Sequence, residues 1–120
     1  MNEVLLCMAL MLDAEARGEE LRGRVAVLQS VLIRYHINLE SPGTFLGGTD
    51  ICDLIKADMQ YAYSIQPPAE RLEAAMRTVK QIFKYKPPLI AGGAPCFRTI
   101  RGTEDAIVIG NHEYGWWCAY

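Results

Sequence analysis

Val4-Leu5-Leu6-Cys7-Met8-Ala9-Leu10-Met11-Leu12-Asp13-Ala14-Glu15-Ala16-Arg17-Gly18-Glu19 is the stretch around which the chain is organised. Its first nine residues are apolar at every position and rich in strong helix formers. A helix apolar all round belongs inside a core rather than on a surface. Gly18 can take the left-handed conformation that closes a helix, so Glu15 is expected in the last turn. There the terminal carbonyls carry partial negative charge. Burial and that dipole end both favour the protonated carboxyl, the state a general acid needs. The residues alone also allow a plainer role, with Glu15 and Glu19 merely hydrating a helix end.

Beyond Gly18 the spacing predicts a second helix from about Leu21 to Tyr35. Leu21, Val25, Leu28, Leu32 and Tyr35 form its apolar stripe, widened by Val27 and Val31. Arg22, Arg24, Gln29 and Arg34 fall largely outside that stripe. Two helices joined by so few residues pack against each other, and the second buttresses the end of the first.

Asn38 to Asp50 reads as a loop anchored by Phe45-Leu46, and Asp50 or Thr49 caps a short helix from Ile51 to about Ala57. Gln60-Tyr61-Ala62-Tyr63-Ser64 is a short aromatic segment, suited to packing on a core edge or on a sugar ring. Pro67-Pro68 opens a third long helix with Leu72, Ala75, Met76, Val79, Ile82 and Phe83 on one stripe, and Pro87-Pro88 ends it. The period then changes. Ala94 to Ile100 and Ala106 to Ile109 are β-type runs, expected to pair as a small antiparallel hairpin.

One hundred and twenty residues make a single domain, 1–120, with one modest core. The net charge of −2 gives no reason to invoke nucleic acid or an anionic membrane surface. Residues 1–60 hold nine acids and five bases, while residues 61–120 hold five and seven. The apolar run from Val4 to Leu12 is too short to span a bilayer, and Asn2-Glu3 is not the basic front of a signal peptide. Cys7, Cys52, Cys96 and Cys118 form no Cys-x-x-Cys pair, and with two histidines at unrelated spacing they give no zinc signature. Cys7 reads as a small core hydrophobe. Two disulfides are allowed, not required.

Glu15-Ala16-Arg17-Gly18-Glu19, followed by Gly23-Arg24-Val25-Ala26-Val27, resembles the opening of the SleB-type cell-wall hydrolase domain. Three later stretches resemble the same family in the same order. They are Gln60-Tyr61-Ala62-Tyr63-Ser64, Gly92-Gly93-Ala94-Pro95-Cys96-Phe97, and Ile109-Gly110-Asn111-His112-Glu113-Tyr114. Two positions depart from the pattern. Ile33-Arg34 stands where relatives carry Asn-Arg, and Arg98 stands where many carry histidine. The resemblance implies an α+β fold: a lysozyme-like helical lobe with a buried central helix, plus a small antiparallel β-sheet. It implies Glu15 as the catalytic acid and Gln60, Tyr61, Tyr63, Phe97, His112 and Tyr114 as substrate-binding residues. His112 has three readings, ordering the hairpin, touching substrate or bridging strand and helix. Trp116-Trp117 suits a sugar, the core or a partner protein.

Two-carboxylate glycosidases hold a second acid about 5–5.5 Å away for retention or about 6.5–9.5 Å away for inversion. Asp13 points to another helix face than Glu15, Glu19 lies beyond Gly18, and no other carboxylate stands out. The resemblance implies a lytic transglycosylase working with one glutamate and no cofactor or metal. Its substrate is the peptidoglycan glycan strand, cut between N-acetylmuramic acid and N-acetylglucosamine with a 1,6-anhydro end. The alternative is a non-catalytic wall-binding or structural module of a phage virion. Without a leader, the chain reads as a phage endolysin or virion-associated enzyme. It would meet the wall as a virion component, beside other virion or tail proteins, or after release from the host cytoplasm.

Overall fold

The computed structural model describes residues 3–58 and 67–118. The apolar run forms α1 (Glu3–Ala16), with Cys7, Met8, Ala9, Met11, Leu12, Asp13 and Ala16 buried. Helix α2 (Leu21–Glu40), the short α3 (Ile51–Asp58) and α4 (Ala69–Tyr85) all pack on it, so α1 is the central helix of the lobe. Met11, Leu12, Leu28, Val31, Ile55 and Val79 form the heart of the core, each at 1% exposure or less. Each such side chain removed from water stabilises the fold by about 1.5–3 kcal/mol. With the sheet described below, the fold is α+β. Among the described residues no helix is long and apolar enough to cross a membrane.

The end of α1 closes differently from expectation. Gly18 has no left-handed φ; the Glu19 N–H donates to the Ala16 carbonyl at 3.0 Å and turns the chain. A methyl group at Gly18 would meet nothing within 4 Å, so Gly18→Ala should move stability by no more than about 0.5 kcal/mol.

Helix α2 runs five residues past its expected end, and its polar residues are not its wet side. Gln29, Ser30, Arg34 and Asn38 are buried. Gln29 Nε2 donates to the carbonyls of Pro87 and Pro88, and its Oε1 accepts from the Ile90 N–H. The Ser30 hydroxyl donates to the Ala94 carbonyl and Arg34 Nε to that of Pro95, both at 2.8 Å. Asn38 Nδ2 donates to the Phe45 and Gly48 carbonyls, while its Oδ1 accepts from the Phe45 N–H. Ser30, Arg34 and Asn38 are four residues apart, so they form a polar stripe that holds backbone carbonyls. The loop after α2 is thus ordered by Asn38, four residues beyond Arg34.

Asp50 caps α3 by accepting from the Asp53 N–H at 3.0 Å. On α4 the stripe buries Ala75, Val79 and Ile82, whereas Phe83 is exposed. Two disulfides join distant parts of the chain. Cys7–Cys52 ties α1 to α3, and Cys96–Cys118 ties the first strand to the C-terminal turn. Cys7 is therefore a cross-link and not simply a core hydrophobe.

The sheet has three strands, β1 (Cys96–Thr99), β2 (Ile107–Ile109) and β3 (His112–Gly115), in the order β1-β3-β2. The two β-type runs read from sequence therefore do not pair with each other, because β3 lies between them. Gly110-Asn111 is the two-residue hairpin turn between β2 and β3, with Ile109 opposite His112 and Gly110 at φ 59°. Glycine at the first central position suits such a turn.

Candidate active site

The turn between α1 and α2 brings Glu19 against the β2–β3 hairpin. Glu19 Oε1 accepts from the Asn111 N–H at 2.9 Å. His112 Nδ1 lies 3.0 Å from the same oxygen, a close approach without hydrogen-bond alignment. The other oxygen sits over two glycines: a methyl group would lie 3.1 Å from it at Gly23 and 2.0 Å from it at Gly110. Glycine at 23 and 110 thus makes room for the carboxylate, whose side chain is 6% exposed. Gly110→Ala should displace Glu19 and strain a positive φ. A loss of about 2 kcal/mol or more is expected in urea unfolding.

His112 and Tyr114 share one face of β3 with Phe97 of β1. The Phe97 and His112 rings meet edge-on at 5.4 Å, and Phe97 and Tyr114 lie 6.1 Å apart. Phe97 is half-buried and His112 buried. Tyr114 is 1% exposed. Burial first, and then the charge of Glu19, push the Tyr114 phenol well above its usual range. Tyr114 therefore keeps its proton, and its buried hydroxyl has no partner among the described residues.

Glu15 is the penultimate residue of α1, in its last turn, and half-buried. Its Oε1 is buried with no hydrogen-bond partner among the described residues. Four residues separate it from Glu19, a reach of at most about 14 Å. Gln60, Tyr61 and Tyr63 lie outside the described residues.

Three other carboxylates are consumed by structure. Asp13 takes both arms of Arg71, Nε at 3.1 Å and Nη2 at 2.9 Å. Glu19 is held as above. Glu113 is fully buried on the opposite face of β3 and gathers donors from the loop after β1. Its Oε1 accepts from the backbone N–H groups of Arg101, Gly102 and Thr103. Its Oε2 accepts from Arg98 Nε at 2.9 Å and from the Thr103 hydroxyl. Arg98 in turn stacks on Trp117 at 3.9 Å, which braces that face of the sheet. Trp117 also packs on Gly115, whereas Trp116 is 59% exposed.

These donors, led by the Thr103 hydroxyl, hold the Glu113 carboxyl down at about 2 against the desolvation that opposes them. A carboxyl lowered on folding stabilises the protein above its unfolded value, near 4.5, and loses that contribution as pH falls towards 2. Thermal midpoints recorded from pH 5 to pH 2 should fall steeply in the wild type. The fall should be shallower in Thr103→Val.

Neither Glu19 nor Glu113 was marked in the sequence as tied into the structure. Two signals pointed that way: glycines at 23 and 110, and the Gly-Asn hairpin dipeptide that places residue 113 on a strand. Among the described residues no three His, Cys, Asp or Glu side chains gather as a metal ion would need. A scan against models of protein families, a search of curated proteins and a search of solved structures each find no match to this chain.

Proposed function

We propose that the chain cuts peptidoglycan glycan strands between N-acetylmuramic acid and N-acetylglucosamine, as a lytic transglycosylase with Glu15 as its acid and base. The observation that carries this reading is the Glu15 carboxyl. Its buried oxygen has no hydrogen-bond partner among the described residues, while Asp13, Glu19 and Glu113 are each bound up in the fold. A carboxyl at the end of a central helix, with one buried oxygen that no described residue engages, suits proton transfer to a bound sugar.

In the reaction, protonated Glu15 gives its proton to the glycosidic oxygen as the bond from that oxygen to the muramic acid C1 breaks. The Glu15 carboxylate then takes the proton of the 6-hydroxyl, whose oxygen bonds to C1. The 1,6-anhydro ring closes and Glu15 regains its proton. No second carboxylate is required, which agrees with the structural engagement of Asp13, Glu19 and Glu113. Glu19, held by the Asn111 N–H, fixes the turn that follows Glu15. Half-buried Phe97 and exposed Trp116 offer apolar surface of the kind pyranose rings stack on. Two disulfides fit an enzyme whose working compartment is oxidising, as the outer side of a cell wall is. A phage virion or tail setting remains part of this proposal.

Clearing of a purified peptidoglycan suspension tests the reading. The wild type lowers turbidity and Glu15→Gln does not. Clearing by both proteins at equal rates would remove Glu15 from the chemistry.

A further inference from the structure

On another flank of α1 a cavity of about 130 Å³ lies among Asp13, Arg17, Arg24 of α2 and Arg71 of α4, over the apolar side chains of Leu12 and Ala75. Three arginines and one aspartate thus line it. That carboxylate is already matched, since both Asp13 oxygens accept from Arg71. Among the described residues no carboxylate forms an ion pair with Arg17 or Arg24. The Nε of Arg24 is buried and has no hydrogen-bond partner among the described residues. A buried charged donor without an acceptor costs more than a neutral one, and such atoms are rare in folded proteins.

We propose that this cavity is an oxyanion subsite that takes a carboxylate or phosphate group on Arg24 and Arg17. The cavity is far larger than the roughly 10–15 Å³ one water needs, so the anionic group and the first atoms carrying it fit. The planar fork of arginine matches the paired oxygens of such a group. Arg71, locked on Asp13, keeps the acid from repelling the ligand. The subsite is separate from the acid of the reaction, because residues 13 and 15 project from different faces of α1. Under the glycan-strand reading, on which this assignment of source rests, the carboxylates of the wall's peptide stems are the natural ligand. Free phosphate offers the same chemistry.

Calorimetric titration of the full chain separates these sources. The probes are a synthetic stem tripeptide with free carboxylates, the same peptide with every carboxylate amidated, and inorganic phosphate. The free peptide should bind and the amidated one should not. Arg24→Gln should weaken binding about tenfold or more, as loss of a charged hydrogen bond does. Arg17→Gln, at an exposed position that leaves the fold intact, should weaken it in the same direction. Binding of phosphate alone, lost in both variants, would keep the oxyanion site and overturn the peptide assignment. No binding of either anion, or binding that both variants leave unchanged, would overturn the site itself. The titration needs no turnover. A chain that cuts glycan but binds no anion loses this inference alone, and one that binds anions at these arginines but cuts nothing loses the glycan-strand reading alone.

Discussion

Glu15→Gln is expected to lower glycan-strand cleavage by about 10²–10⁴-fold, the range that a positioned acid–base group supplies. The thermal midpoint should stay within about 2 °C of the wild type, corresponding to about 0.5 kcal/mol. The two halves of this expectation have one structural cause. Because Glu15 Oε1 has no hydrogen-bond partner among the described residues, the amide breaks no hydrogen bond there and keeps nearly the same shape. What it loses is a proton that can leave and return. The same substitution at Glu113 would behave in the opposite way, since that carboxylate holds three backbone N–H groups and Arg98. A Glu15→Gln protein that unfolds 10 °C earlier would show that the carboxyl has a structural partner and is not free for chemistry. Differential scanning calorimetry beside the turbidity assay reads both halves.

The second large effect is on stability. Cys7–Cys52 closes a loop of 45 residues between α1 and α3. In the chain-entropy account, a cross-link over that length stabilises the folded state by about 4 kcal/mol. For a chain of this size that corresponds to about 15 °C in the thermal midpoint. Both sulfurs are buried, so Cys7→Ala/Cys52→Ala leaves small apolar side chains where the bridge was. The double variant should therefore melt about 15 °C lower. The wild type in reductant should fall at least as far, because Cys96–Cys118 opens too. A midpoint unmoved by both treatments would mean that these cysteines are not bonded in solution.

How much of this was legible in the sequence follows from which interactions are local. The nine apolar residues before Asp13 announced a central helix, because hydrophobicity on every face leaves no side for water. The Pro67-Pro68 start, the Pro87-Pro88 end and the Asp50 cap act within a few residues and were equally readable. The long-range features were not. Asn38 looked like the start of a loop because asparagine is poor in helices, yet the Phe45 and Gly48 backbone groups it satisfies repay its place in α2. Gln29 and Arg34 looked solvent-facing because nothing local reveals that the carbonyls of Pro87 and Pro95 will arrive beside them. The strand order failed for the same reason. Gly110-Asn111 is a recognised hairpin signal, and weighing it as one would have placed β3 against β2. Glu15 itself was readable as a helix-end carboxyl, but that its Oε1 has no hydrogen-bond partner among the described residues, which separates it from Glu19, is a property of the folded molecule.

The most direct test of the account is mass spectrometry of the soluble products released from purified peptidoglycan, with Glu15→Gln run in parallel. The account predicts 1,6-anhydro-muramic ends from the wild type and none from the variant. Reducing muramic ends from the wild type, or anhydro ends persisting in Glu15→Gln, would contradict it.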